Sequence, residues 1–223
     1  MIIVMQGRVR SSRLPGKGFF TFFGQTLWER LCDIALEVRG AREVVFATGD
    51  HAENRLVQPL IESKGVRFFM GSEDNVLQRY CDVVKDSSAE YVVRLTCDNY
   101  LIQPELVEAL AAAVKEKKAD YGFIEPLSHY AGEVIRREVL LQEYQSGKYT
   151  AMGREHVTYD IRQSKTYRQV TLPNNFGGVD HQHSLTLDTL DDLVVMKKLE
   201  RSHPGLIRLR CLEELRKVDL VKL

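Results

Sequence analysis

The sequence predicts an α/β fold: a doubly wound, mostly parallel sheet with helices on both faces and a less regular region late in the chain. Two observations carry this reading. Short apolar runs alternate with helical patterns from Met1 to about Glu125, the signature of strands joined by right-handed crossovers. The first run, MIIVMQ, is apolar almost throughout, as a strand buried on both faces of a parallel sheet must be. A chain of 223 residues can form one large α/β domain, and no repeat, low-complexity tract or linker divides it. We therefore expect a single domain over 1–223, with residues 126–183 partly an insertion.

The elements follow in order. Met1–Gln6 is the first strand, and a loop runs from Gly7 to Lys17. Gln25–Val38 carries apolar residues at 27, 28, 31, 34, 35 and 38, a helical stripe that Gly40 stops. Glu43–Thr48 is the second strand and ends in Gly49-Asp50-His51. Ala52–Lys64 reads as helix, with Gly65 as its C-cap. Val66–Met70 is the third strand, followed by GSEDN and a helix to about Val84. Glu90–Thr96 is the fourth strand, Pro104–Lys117 a helix and Ala119–Glu125 the fifth strand. Beyond this, Gly132–Arg136 is a short strand and Arg137–Gln145 a helix. Ala151–Gln163 reads as one helix. The alternating Thr166–Leu172 stretch suits a half-exposed strand or an arm pairing across a dimer. Ser184–Leu187 is a short strand, Leu190–Arg201 a helix and Leu212–Val218 a short terminal helix.

Composition narrows the function. Apolar residues make up 44% and charged residues 28%, ordinary globular values. Lys and Arg together number 31, as do Asp and Glu, so no global field draws in nucleic acid or an anionic membrane. No apolar run has the length of a membrane span. The four cysteines, Cys32, Cys81, Cys97 and Cys211, form no CxxC pair and fit neither a zinc site nor a disulfide framework. A reducing, cytoplasmic setting is expected.

Against this neutral background the loop after the first strand stands out. Gly7–Lys17 carries Arg8, Arg10, Arg13 and Lys17, two serines and no acid. Ligands of open α/β sheets bind outside the carboxyl ends of the strands, and a loop there with amides, hydroxyls and cations suits a polyphosphate. A solvated basic turn is the bland alternative. Polyphosphate chemistry calls for a divalent cation held by one or two carboxylates. Asp98 and Asp188 are the best pair, because each closely follows an apolar strand. Asp98 has no helix start to cap before Pro104, whereas Asp188-Thr189 can also serve as the cap of the helix at Leu190.

Six stretches in order, MQGRVRSSRLPGK, ATGD, GSEDNVLQRY, VVRLTCDNYLI, REHVT and LTLDTLDDL, resemble the cytidylyltransferases of the spore coat polysaccharide biosynthesis protein F type. More distantly they resemble the acylneuraminate and 3-deoxy-manno-octulosonate cytidylyltransferases. The likeness spans roughly Ile2 to Leu199, and RxxSSRLPGK and GSEDxVLxRY are its specific parts. It implies a nucleotide-diphospho-sugar transferase-like, Rossmann-type three-layer sandwich. The reaction it implies is CTP plus an acidic sugar or related oxyacid giving a CMP conjugate and pyrophosphate, in surface polysaccharide precursor synthesis. By the same resemblance, Arg8, Arg13 and Lys17 grip the triphosphate, and Gly7, Ser11 and Ser12 approach phosphate and base. Gly71, Ser72, Asp74 and Thr96 complete the nucleotide site. Asp98 and Asp188 hold Mg²⁺, with Asp98 counted among the catalytic residues together with Arg8, Arg13 and Lys17. Glu133, Arg154 and His156 fall on the acceptor side, within or beside the 126–183 region, and relatives of this kind are often homodimers.

Three residues depart from the family pattern. Arg10 replaces a glycine, Cys97 a glycine beside the metal carboxylate, and Tyr100 a proline. Arg10 and Cys97 keep open a nucleotide-binding or partner-binding protein with a degenerate site, and the loop's likeness in kind to other nucleotidyltransferases keeps open transfer from another nucleotide or to a sugar phosphate. Cys97 reads as a buried small residue rather than a nucleophile, and the phenylalanines at 19, 20, 22 and 23 as core or interface. His181 and His183 suit a surface turn or sugar contacts better than a metal.

Overall fold

A computed structural model describes residues 1–125, 129–173 and 185–218. Nine strands are present among them: β1 (Ile2–Gln6), β2 (Thr21–Phe22), β3 (Gln25–Thr26), β4 (Glu43–Gly49), β5 (Arg67–Gly71), β6 (Tyr91–Thr96), β7 (Tyr121–Glu125), β8 (Glu133–Arg136) and β9 (Gln169–Pro173). The helices are α1 (Leu27–Leu36), α2 (Gln58–Ser63), α3 (Val76–Val84), α4 (Pro104–Glu116), α5 (Arg137–Ser146), α6 (Ala151–His156), α7 (Tyr159–Gln163), α8 (Leu190–Ser202) and α9 (Leu212–Leu215).

Seven strands form one sheet in the order β5-β4-β1-β6-β8-β7-β9, and β2 pairs with β3 as a separate hairpin. Every pairing in the large sheet is parallel except those of β8, which runs antiparallel between β6 and β7. The expectation of a mostly parallel, doubly wound sheet is borne out. Ile2 and Val4 of β1 face a core built with α3, α5 and α7, while Ile3 and Met5 face the one built with α1, α4 and α8. Strand β1 is buried on both faces because each face of the sheet carries its own helical layer.

The differences from the sequence reading have local causes. The first helix begins at Leu27, not Gln25, because Thr26 and Glu29 form a capping box there and Gln25–Thr26 is taken up by the hairpin. Residues 52–57 are a 3₁₀ turn, and α2 starts only at Gln58. The helix expected over 151–163 is broken into α6 and α7 at Val157, whose φ of 56° is strained for a β-branched residue. Rather than standing off as an arm, Gln169–Pro173 adds to the sheet in parallel with β7. The strand expected at 184–187 is a single bridge, Asn99 to Thr186. His181 and His183 lie outside the described residues. No described helix is long and apolar enough to cross a membrane.

Candidate functional site

The loop after β1 leaves the sheet over a crowded floor. A side chain at Gly7 would meet Phe46 at 2.9 Å and Cys97 at 3.1 Å, so only glycine lets the backbone lie this low. The buried amide of Asn54 then ties the loop down. It accepts from the Val9 N–H at 2.9 Å and donates to the Gly49 carbonyl at 3.0 Å, linking the loop to the end of β4. The loop closes where the Gly16 N–H meets the Val9 carbonyl at 2.9 Å, with Gly16 in the left-handed region at φ 69°. Gly18 follows, flat against the Trp28 indole, where a Cβ would stand 1.9 Å from the ring. This contact fixes the short turn that begins at Lys17.

Lys17 points into the cleft. Its Nζ donates to Asp98 Oδ2 at 3.1 Å and to Asp188 Oδ1 at 2.8 Å. Arg13 reaches the other Asp188 oxygen at 2.9 Å. Asp98 lies just past β6, where the Cys97 N–H still bonds the Gln6 carbonyl at 2.9 Å. Asp188 is brought beside it by the Asn99–Thr186 bridge and by the Leu187 N–H, 2.9 Å from the Asp98 carbonyl. Burial pushes the Asp98 carboxyl up, but the Lys17 charge and the Lys17 and Thr96 hydrogen bonds outweigh it, holding the group below its ordinary value.

The capping alternative for Asp188 fails. Thr189 caps α8, in a capping box with Asp192, whose carboxylate also accepts from the Asp188 N–H at 2.9 Å. The Asp188 side chain is thereby left for the cleft.

The cleft encloses about 590 Å³. Of the sequence candidates it gathers Gly7, Arg8, Ser11, Ser12, Arg13, Lys17, Asp74, Thr96, Asp98, Arg154, His156 and Asp188 along its walls. Gly71, Ser72 and Glu133 do not line it. The Ser72 hydroxyl instead accepts from the Asn75 N–H at 3.1 Å, and its carbonyl is held by Arg79 at 2.9 and 2.6 Å. Gly71 packs against Phe69 and Arg79. Glu133 is only 2% exposed, sealed behind Arg94, Tyr121 and Thr158.

Arg10 turns away from the cleft and pairs with Glu53. Cys97 is buried beneath Gly7, and burial raises its thiol well above the ordinary value, which suits a packing residue and not a nucleophile. Tyr100 is core, edge-on to Phe22 at 5.3 Å between ring centroids. Of the nearby phenylalanines, Phe22 is fully buried and Phe19 stands against Trp28, so they anchor the loop's far end.

Four charged residues of the cleft, Glu73, Arg79, Arg94 and Glu155, escape the sequence reading. Glu73 pairs with Arg8 at 3.3 Å. Arg79 fixes the turn after β5, and Arg94 rises from the middle of β6. The available signal was an arginine inside an otherwise apolar strand, VVRLT, and another on the buried side of an amphipathic helix.

Comparison with known proteins shows the family and the fold. The sequence model of the family described as Cytidylyltransferase matches residues 1–219. The spore coat polysaccharide biosynthesis protein SpsF of Bacillus subtilis is 29% identical over 208 residues, 89% of this chain and 85% of that protein. Among solved structures, a cytidylyltransferase from Leptospira borgpetersenii superposes with a TM-score of 0.84 at 22% identity, covering 97% of this chain and 93% of the other. A CMP:2-keto-3-deoxy-manno-octonic acid synthetase complexed with CTP superposes at 0.69 with 20% identity, covering 90% and 98%. Both structures share the fold.

Proposed function

The chain belongs to the cytidylyltransferase family, and from that premise we propose that it transfers CMP from CTP to a hydroxyl of an acidic sugar or related oxyacid. Pyrophosphate leaves, and the CMP conjugate serves surface polysaccharide synthesis. The observation that carries this reading is the convergence of two carboxylates, Asp98 and Asp188, on one ammonium, Lys17, at the mouth of a basic loop. Such a transfer needs in-line positioning and charge neutralisation more than covalent catalysis.

The residues fit Mg²⁺. Two carboxylates already face a common positive charge, and an oxygen-only pair completed by substrate phosphate and water is the usual setting for this ion. Asp98 and Asp188 would hold it, and when bound it would polarise the α-phosphate and favour ionisation of the attacking hydroxyl. Among the described residues no group of three metal-ligating side chains is present, which fits an ion completed by its substrate.

The protein's own groups do the rest. Lys17 and Arg13 exchange their carboxylate partners for phosphate oxygens when nucleotide enters, and Arg8 does the same from Glu73. Ser11, Ser12 and the Gly7 backbone offer donors along the nucleotide path. Arg154 and His156 of α6 face the cleft from the side where the acceptor enters. Arg10 takes no part, because its side chain is engaged outside the cleft.

The test is pyrophosphate release from CTP and Mg²⁺ with a panel of acidic sugars and phospho-oxyacids, beside thermal shifts with CTP, UTP, GTP and ATP. The proposal expects release with at least one acid and the largest shift with CTP. Release with none, or a preference for another nucleotide, contradicts it.

A further inference from the structure

Among the described residues, Arg94 is the cation that the sheet itself sends into the cleft. It stands on β6 two residues before Thr96, on the side of β8, away from the Arg8–Glu73 end. Its Nε donates to Gln6 Oε1 at 3.1 Å and its Nη1 to Glu133 Oε2. Glu133 is fully engaged. Its other oxygen accepts from the Tyr121 hydroxyl and from Thr158 Oγ1 at 2.7 Å, with Arg162 Nη1 3.8 Å away. Glu133 therefore offers a ligand nothing directly, and two guanidiniums share its single charge.

This arrangement leaves a surplus positive charge at the floor of the cleft. Arg154 and Glu155 of α6 also line the cleft, one of each sign. With Nε and Nη1 taken, the outer Nη2 edge of Arg94 remains for a ligand, and among the described residues it makes no hydrogen bond. A planar guanidinium fixed by a buried carboxylate is suited to another carboxylate, and it is pre-ordered, so little freedom is lost on binding. A flexible surface cation would not be built this way.

We infer that Arg94 reads the acid group of the acceptor, and that Glu133 is the positioning residue that fixes the guanidinium for it. The inference rests on the proposed transfer to an acidic acceptor and names the residue that makes the acceptor's charge matter. The same Glu133 bond to Thr158 holds the break between α6 and α7, so the wall carrying Arg154 and His156 is anchored at the same point.

The experiment compares wild type with Arg94→Gln, Arg94→Lys and Glu133→Gln. The probes are 3-deoxy-manno-octulosonate, N-acetylneuraminate and other acidic sugars, each beside its neutral methyl ester. For the acid that supports pyrophosphate release, Arg94→Gln raises the acceptor KM by roughly 30- to 100-fold. KM for CTP and the CTP-induced thermal shift stay within about twofold, which also shows that the variant is folded. Arg94→Lys recovers part of the loss, and Glu133→Gln raises the acceptor KM with that for CTP unchanged. With the methyl ester, wild type and Arg94→Gln perform alike. An unchanged acid KM in Arg94→Gln, or an equal rise for CTP, overturns the assignment while leaving the cytidylyl transfer intact. Failure of wild type to release pyrophosphate with every acid overturns the underlying reading, and the assignment with it.

Discussion

Lys17 and Asp188 are 171 positions apart in the chain, and their side chains meet at 2.8 Å. The same ammonium holds Asp98 at 3.1 Å, so three distant segments converge on one charge. The loop after β1, the end of β6 and the approach to α8 come together because β1 and β6 are neighbours and the Asn99–Thr186 bridge adds the third segment. Lys17 is thus the counter-charge of both carboxylates, and in the proposed transfer it is also a ligand for phosphate.

Replacing Lys17 with Gln removes both roles. The expected result is a fall in kcat/KM of about a hundred- to a thousandfold, as for loss of one preorganised donor to a developing negative charge. Steady-state pyrophosphate release measures it, and the CTP-induced thermal shift falls in parallel. A variant with wild-type kinetics contradicts the role.

Asp98→Asn and Asp188→Asn separate metal binding from phosphate binding. Each is expected to abolish the part of the CTP thermal shift that depends on Mg²⁺ and to keep the part seen in chelator. An unchanged Mg²⁺ titration of either variant removes that residue from the metal site.

Arg10→Gly tests whether the departure from the family pattern matters. Its ion pair with Glu53 lies on an exposed side chain outside the cleft, and such pairs contribute little. The expected outcome is a melting temperature close to that of wild type, with KM for CTP unaltered. A large gain of activity on restoring glycine would favour a degenerate wild-type site.

Gly18→Ala tests how the loop is fixed. A Cβ would lie 1.9 to 2.4 Å from Trp28 ring atoms, so the turn carrying Lys17 has to shift. Overpacking of this kind costs about 1–3 kcal/mol. The CTP thermal shift should shrink along with the melting temperature, whereas an alanine on an exposed loop would change neither.

Glu133 sets a pH dependence of stability. Burial raises its pKa, but Arg94 and the hydrogen bonds from Tyr121 and Thr158 prevail, and the folded value lies below the ordinary 4.5. Arg162 is the other charge facing it, and it acts in the same direction. A depressed folded pKa means stability that is complete above pH 4.5 and is lost as pH falls through the folded value. Denaturant melts between neutral and acid pH should show this loss, and Glu133→Gln should flatten it.

Much of this was legible in the sequence. β1 and the loop after it could be read because a fully apolar strand broke into a turn rich in cations, and Asp98 and Asp188 because each followed an apolar strand. Their convergence on Lys17 could not be read, since it depends on strand order and on one bridge between distant residues. Nor could the fate of Arg10, whose partner Glu53 comes from the turn after β4. Glu133 looked like an acceptor contact because the family resemblance puts an acidic residue near there. The antiparallel insertion of β8 beside β6 instead puts it behind Arg94, and no periodicity in the sequence announces that pairing. Ala151–Gln163 carries a continuous helical pattern, but Thr158 is pulled toward Glu133 and the helix breaks.

The central claim is tested most directly by following CTP labelled at its α-phosphate. In the presence of Mg²⁺ and an acidic sugar, the label should move into a new CMP conjugate as pyrophosphate appears. It should stay in CTP when Lys17 is Gln or Asp98 is Asn. Label that remains in CTP with every acid, or that transfers equally well in the Asp98→Asn variant, would contradict the account.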